Sequence, residues 1–572
     1  MSSSSSKKRI IVCCDGTWQN SDNGYAKSKA NLQVPSNVTR ISRCFKRTCS
    51  DGTFQIIYYQ SGVGSRSGII DRLFGGAFGT GISENIREAY AFICANYVDG
   101  DEIVLLGFSR GAFTARSIGG MISDLGLLTR HGHDYFYPIF KDMQNWSNEK
   151  YDDPYPTTPF TNKPKGEDAA AIYRERLVEK GYSRVKGNNG QGALIRVYRT
   201  LSFYNTHLSN KIQHGFHALA LDETRGPFAP TLWERRPQEQ DTSDLRQVWF
   251  PGSHANIGGG WPDQGVANTT LAWMMDQLSS VGCEFRTDAL ERAFESTMRY
   301  YTNQEPESVS RPKTHRPPSW ATKSIYESNK PVRPWSLHYI QSATGPLQNL
   351  VGSVTRAPGM YKKVNPKNGR NLPDDLEDTN ERIHPSVRVR LACEGLGLND
   401  SEVWHCPSLL KYWRPRRVSG QFFDPVPRTA NWGPASERNQ TKSTVQQSDQ
   451  AAGSSADAAV VSAESLSMLS QDPSQRWVWE YVGPELTAPV VRTMVEENLG
   501  PYEQKLLQLA AGKVHVCKFA EKQDVNEFKA LHLQSFLKMM KRLHRKWWHS
   551  EQKAARRRAR NKNKNDAREA AG

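Results

Sequence analysis

The stretch Asp101-Glu102-Ile103-Val104-Leu105-Leu106-Gly107-Phe108-Ser109-Arg110-Gly111-Ala112-Phe113-Thr114-Ala115-Arg116 decides how the chain folds. Its first half is an unbroken apolar run between Asp-Glu and a glycine, the pattern of a strand buried on both faces. Its second half reads as a helix from Arg110 to about Met121. Between them Gly107-Phe108-Ser109-Arg110-Gly111 fits G-x-S-x-G. In that pattern a serine sits in a strained strand-to-helix turn, and small residues two positions either side prevent clashes. The turn lifts the hydroxyl above the sheet, where the N–H of Arg110 can donate to an oxyanion. Ser109 is thus the candidate nucleophile. The alternative is a glycine-flanked turn without chemistry.

Outward from this stretch the pattern repeats. Arg9–Cys14 reads as a short buried strand ending in Asp15-Gly16-Thr17, and Phe54–Tyr59 as another. A helix is expected over Ser83–Tyr97. Leu194–Ser202, Phe216–Leu221 and Gln247–Phe250 follow as strands, and Thr269–Val281 as an amphipathic helix. Alternating apolar strands and helices predict an α/β fold with a mainly parallel sheet covered on both sides. Residues 9–400 form the expected catalytic domain. The polar, aromatic and proline-rich stretch at about 129–192 reads as a partly helical insertion, in the usual place of a lid or pocket. Residues 1–8 are an expected disordered N-terminus and 401–433 a connecting segment. Residues 434–475 have no aromatic residue and read as a disordered linker or loop. A strand and helices are expected over 476–548, then a basic tail over 549–572.

The chain has 572 residues, 37% hydrophobic and 10% aromatic, enough for a sizeable core. Its net charge of +16 is uneven. From Lys538 onward thirteen Lys/Arg face three Asp/Glu, so ten of those charges belong to the C-terminus. That makes nucleic acid an unlikely partner for the main domain. Val525–Trp548 reads as a helix with an apolar side and interleaved lysines and arginines, closed by Trp547 and Trp548. Packing on the main domain is the first expectation for it, peripheral contact with an anionic membrane surface the second, and nucleic-acid binding the third. The nine cysteines show no paired CxxC spacing, so neither zinc nor a disulfide framework is expected. The N-terminus lacks an apolar signal region and no run of about 18 apolar residues occurs, which predicts a cytoplasmic chain. No metal or organic cofactor is implied.

A serine nucleophile needs a base. His254 follows the strand Gln247–Phe250 within Gly252-Ser253-His254-Ala255-Asn256-Ile257-Gly258-Gly259-Gly260, where glycines let backbone approach closely. Strand end, glycine run and the order serine, acid, histidine make His254 the candidate base. Asp222 closes the preceding strand and is the candidate acid, with Glu223 and Asp263 as rivals. The N–H of Gly16 or Thr17 is the candidate second oxyanion donor. Asp15 either touches substrate or orders its own loop.

Cys14-Asp15-Gly16-Thr17-Trp18, Asn37-Val38-Thr39-Arg40, Ser61-Gly62-Val63-Gly64, Gly107-Phe108-Ser109-Arg110-Gly111-Ala112 and Trp249-Phe250-Pro251-Gly252-Ser253-His254 occur in one order. In this the chain resembles, over roughly Arg9 to Met275, the catalytic domains of type VI secretion phospholipase effectors and their uncharacterised fungal relatives. The resemblance implies an α/β-hydrolase fold and cleavage of an acyl ester in a lipid-like substrate. Two departures stand out. The family often reads Val-Trp-Asp-Thr-Val where this chain has Val197-Tyr198-Arg199-Thr200-Leu201, and His-Ser-Asp where it has His254-Ala255-Asn256. They point to a second reading, a catalytically impaired hydrolase-fold binding or scaffold protein.

Overall fold

The computed structural model describes residues 7–16, 34–62, 80–146, 148–166, 168–184, 194–199, 208–236, 243–302, 335–342, 353–364, 371–392, 395–399, 403–419 and 475–511. Its centre is a ten-stranded sheet. In chain order the strands are β1 (Lys8–Cys14), β2 (Phe54–Gln60), β3 (Glu102–Gly107), β4 (Leu194–Arg199), β5 (Ile212–Ala220) and β6 (Asp244–Phe250). A small antiparallel pair, β7 (Lys362–Val364) and β8 (Asn371–Asp375), stands apart from the sheet. Then β9 (Glu381–Ile383), β10 (Trp413–Ser419), β11 (Gln475–Tyr481) and β12 (Thr493–Glu496) rejoin it. The spatial order is β10-β11-β12-β9-β6-β5-β4-β3-β1-β2. Every neighbouring pair from β12 to β2 is parallel, and only the edge pairs with β11 are antiparallel.

The apolar runs explain the two-sided burial. Along β1 and β3 successive side chains point to opposite faces. Ile11, Cys13, Val104 and Leu106 join one core cluster, while Ile10, Val12, Ile103 and Leu105 join another. On the first face lie α1 (Asn37–Ser42) and α8 (Gly265–Ser280). On the second lie α2 (Thr80–Asn96) and α3 (Arg110–Leu125). The expected insertion contains α4 (Arg130–His133), α5 (Phe136–Asn145) and α6 (Ala169–Glu179). Ile139, Phe140, Tyr173 and Leu177 of α5 and α6 enter the second core beside Tyr90 and Ile122.

The chain steps from β1 outward to β2 and then back across β1 to β3. The strand order therefore reverses between β1 and β3, and ligands of open parallel sheets bind at the carboxyl ends beside such a switch. Asp15-Gly16 leaves β1 there and Phe108-Ser109 leaves β3 there. The carboxyl end of β6 leads to α7 (His254–Gly258).

The region beyond about residue 281 contains α9 (Ala289–Thr302), α10 (Pro385–Ala392) and α11 (Pro407–Leu410). The final described helix, Pro501–Ala511, packs on α8 and α9. Asp276 of α8 accepts from the Tyr502 and Glu503 N–H groups at 2.8 and 3.0 Å, and Glu503 meets His384 Nε2 at 2.5 Å. The expected linker at 434–475 lies outside the described residues except for Gln475, and the basic helix and tail lie outside them altogether.

Candidate active site

Ser109 stands at φ 56°, ψ −126°, a backbone conformation a non-glycine residue holds only under strain of about 1–3 kcal/mol. The surroundings enforce it. A Cβ on Gly107 would lie 2.5 Å from Ala112 Cα, and one on Gly111 2.2 Å from the Cys14 carbonyl oxygen. Both obstacles are backbone, so neither position has room for a side chain. Gly111 and Ala112 donate to the Phe108 and Ser109 carbonyls at 2.9 and 3.0 Å, which closes the turn into α3. Arg110 opens that helix, and its N–H belongs to the residue from which such a turn donates to an oxyanion.

Gly16 backs this turn. A Cβ there would stand 2.8 Å from Phe108 Cδ1 and 3.3 Å from Ser109 Cβ. Its N–H, however, donates to Asp15 Oδ1 at 2.7 Å, so Gly16 does not serve as the expected oxyanion donor in this structure. The reason is Asp15, a buried carboxylate that gathers donors from its own neighbourhood. Ser36 Oγ donates at 2.6 Å, Thr39 Oγ1 at 2.6 Å and Tyr59 Oη at 2.7 Å. Of the two roles weighed for Asp15, ordering of the loop is the one its contacts fill. Thr17 lies outside the described residues.

His254 is buried beside the elbow. Its ring stacks on Phe108 at 4.7 Å between centroids and meets the edge of Phe228 at 5.1 Å. A Cβ on Gly258 would overlap Phe108 Cε2 at 1.8 Å, so the glycine run allows α7 to sit directly on the residue before the nucleophile. Ser253 caps α7: its backbone N–H and its hydroxyl both reach Asn256 Oδ1, at 3.1 and 2.9 Å. Asn256 is therefore a capping residue here. Burial pushes the imidazole down to about 4, with Glu223 opposing the shift and Arg225 and Arg356 reinforcing it. The ring is thus neutral, the form a general base requires. Its Nε2 is buried and has no hydrogen-bond partner among the described residues.

Asp222 is placed differently from the expectation. Its Oδ2 accepts from Gly252 N at 2.6 Å and its Oδ1 from Trp404 Nε1 at 2.8 Å. Neither oxygen meets the imidazole. Together with Asp222 N donating to Gly252 O at 3.0 Å, these bonds brace the turn that delivers His254. A carboxylate at the strand end bonds the nearest unsatisfied backbone donor, and here that is the Gly252 N–H. Glu223 is closer to the histidine: its Oε2 accepts from His254 N at 3.2 Å. Asp263 accepts from Gly265 N at 2.9 Å, within its own turn. Sequence reasoning missed Phe228, Arg225, Arg356 and Trp404, the last two far along the chain and without any motif to mark them. No group of three or more His, Cys, Asp or Glu among the described residues is placed to hold a metal.

Residues 8–277 match the sequence family described as T6SS, phospholipase effector Tle1-like, catalytic domain. That segment is Tle1-like. It spans β1 to α8 and carries Ser109, Asp222 and His254. An uncharacterised protein of Saccharomyces cerevisiae, YEL023C, is 30% identical over 249 residues, which are 41% of this chain and 34% of the yeast protein. The chain thus matches about a third of that relative's length. Among solved structures, the Tle1 effector bound to the VgrG spike from the type 6 secretion system is 16% identical. That likeness covers 45% of this chain and 51% of the other, with a TM-score of 0.22. An uncharacterised protein from Pseudomonas aeruginosa is 14% identical over 51% of this chain and 48% of its own, with a TM-score of 0.27. Among the described residues, no helix is long and apolar enough to cross a membrane.

Proposed function

We propose that the chain is a serine hydrolase that cleaves a carboxylic ester of lipid-like type, built on an α/β-hydrolase-like domain over residues 9–400. Ser109 Oγ attacks the ester carbonyl while His254 takes the hydroxyl proton. The Arg110 N–H holds the oxyanion. His254 returns the proton to the leaving alcohol, an acyl-Ser109 ester remains, and water attacks it by the same route in reverse. Asp222 is assigned to the loop that carries the base. The lipid-like substrate rests on the Tle1-like match.

One observation carries this reading: the strained backbone of Ser109, enforced by two glycines that cannot bear a side chain. Strain of that kind persists only where the surrounding structure over-determines it, and it clusters at active sites. The experiment is hydrolysis of a p-nitrophenyl ester and of phosphatidylcholine vesicles by the full chain. Ser109→Ala should lower the rate by several orders of magnitude, because nucleophile and base act as a unit. A well-folded Ser109→Ala protein that keeps most of the activity contradicts the mechanism. A wild type inert toward both substrates favours the impaired, binding-protein reading.

A further inference from the structure

We propose that Glu223, held by Arg225, is the positioning carboxylate of His254, an assignment that rests on reading His254 as the base. The usual device, a carboxylate hydrogen-bonded to the imidazole, is not what the described residues provide. Asp222 is taken by Gly252 and Trp404. The segment Glu223–Phe228 instead grips His254 at two places. Glu223 Oε2 accepts from the His254 main-chain N–H at 3.2 Å. Phe228, five residues on, meets the ring of the same histidine.

The grip is held by one arginine and locked by another. Arg225 reaches Glu223 through its N, Nε and Nη2 atoms at 3.0, 2.7 and 2.8 Å. Its guanidinium carbon stands 3.6 Å from the centroid of the Phe228 ring. Arg356 Nη2 donates to the Arg225 and Phe228 carbonyls at 3.0 and 2.9 Å, fixing the turn between them. Phe108 closes the other side of the imidazole.

The arrangement also sets the charge that the imidazole feels. The groups acting on it are Glu223 from the end of β5, Arg225 from the following turn and Arg356 from a distant segment. One anion stands against two cations. Removing the anion leaves both cations unopposed and disfavours protonation further. Removing Arg225 leaves the anion less opposed and favours protonation. A purely structural role for the segment would not move the two variants in opposite directions.

The test follows the titration of His254 by NMR in the full chain carrying carbon-13-labelled histidine, with the resonance assigned by His254→Gln. The pH dependence of p-nitrophenyl ester hydrolysis is the second readout. In Arg225→Gln the titration and the acidic limb should rise by about one pH unit. In Glu223→Gln the imidazole should stay neutral to the lowest pH at which the protein remains folded, and the double variant should lie between the single ones. Asp222→Asn should move the titration less than either. Shifts in the same direction, no shift in Arg225→Gln, or a larger shift in Asp222→Asn overturns the assignment. If Glu223→Gln does not fold, Arg225→Gln alone decides by the sign of its shift. The NMR readout needs no turnover: a chain inert toward esters whose His254 shifts as stated loses the hydrolase reading and keeps the positioning role. An active chain whose titration ignores both variants loses the positioning role alone.

Discussion

Gly111 and Gly120 lie in the same helix, α3, and alanine at the two positions should have opposite effects. At Gly111 a Cβ would stand 2.2 Å from the Cys14 carbonyl oxygen and 2.4 Å from that of Asp15. Ordinary contact begins at 3.4 Å, so the helix start and the end of β1 must separate by about 1 Å. Overpacking of this kind costs roughly 1–3 kcal/mol. At Gly120 nothing lies within 4 Å of the added carbon. Glycine to alanine gains about 1 kcal/mol in a helix interior, where Gly120 lies, and less at Gly111, the second residue of α3. Gly120→Ala should therefore be stabilised by about 1 kcal/mol and Gly111→Ala destabilised by roughly 1–3 kcal/mol. Because the displaced backbone is that of the elbow, Gly111→Ala should also lose about 10²-fold in ester hydrolysis. Urea unfolding followed by tryptophan fluorescence, with a p-nitrophenyl ester assay on the same samples, measures both. Equal unfolding midpoints for the two variants, or full activity in Gly111→Ala, would refute the tight-elbow argument.

Ser109→Gly should be more stable than Ser109→Ala by about 1 kcal/mol, because glycine adopts a φ of 56° without strain; equal urea midpoints contradict this. Trp404→Phe leaves Asp222 Oδ1 without its donor and should cost about 1–3 kcal/mol, read by the same unfolding assay. Burial beside Glu503 lifts Asp276 to about 8. The folded state then holds a proton that the unfolded chain releases near pH 4, so stability should fall as pH rises from about 4 to about 8. Urea midpoints across that window test the sign, and Asp276→Asn should flatten the slope.

The parallel sheet was legible because its strands are local signals. Ile10–Cys14 and Ile103–Leu106 are apolar at every position, and only a strand covered on both faces needs that. The turn at Ser109 was legible for the same reason: strand, glycine, serine, glycine and helix lie within sixteen residues. The glycine run after His254 announced a close approach, and Gly258 on Phe108 is that approach. Asp222 and Glu223 could not be told apart from sequence. Adjacent residues at a strand end point in different directions, and what each meets is decided by Trp404, Gly252 and Arg356, which tertiary packing brings from 30 to 182 positions away. The choice between the two roles of Asp15 was not legible, because its partners Ser36, Thr39 and Tyr59 carry no shared pattern. β9 and β12 were illegible since they are only three and four residues long and owe their conformation to the strands they join.

The central claim is that Ser109 is an activated nucleophile. A fluorophosphonate probe tests it most directly, since it forms a covalent bond only with a serine that its surroundings activate. Incubation of the full chain with the probe, followed by digestion and mass spectrometry, should place one phosphonyl group on Ser109. The labelling should be absent in Ser109→Ala and strongly slowed in His254→Gln. Labelling at another serine, or none on a folded chain at neutral pH, would contradict the account.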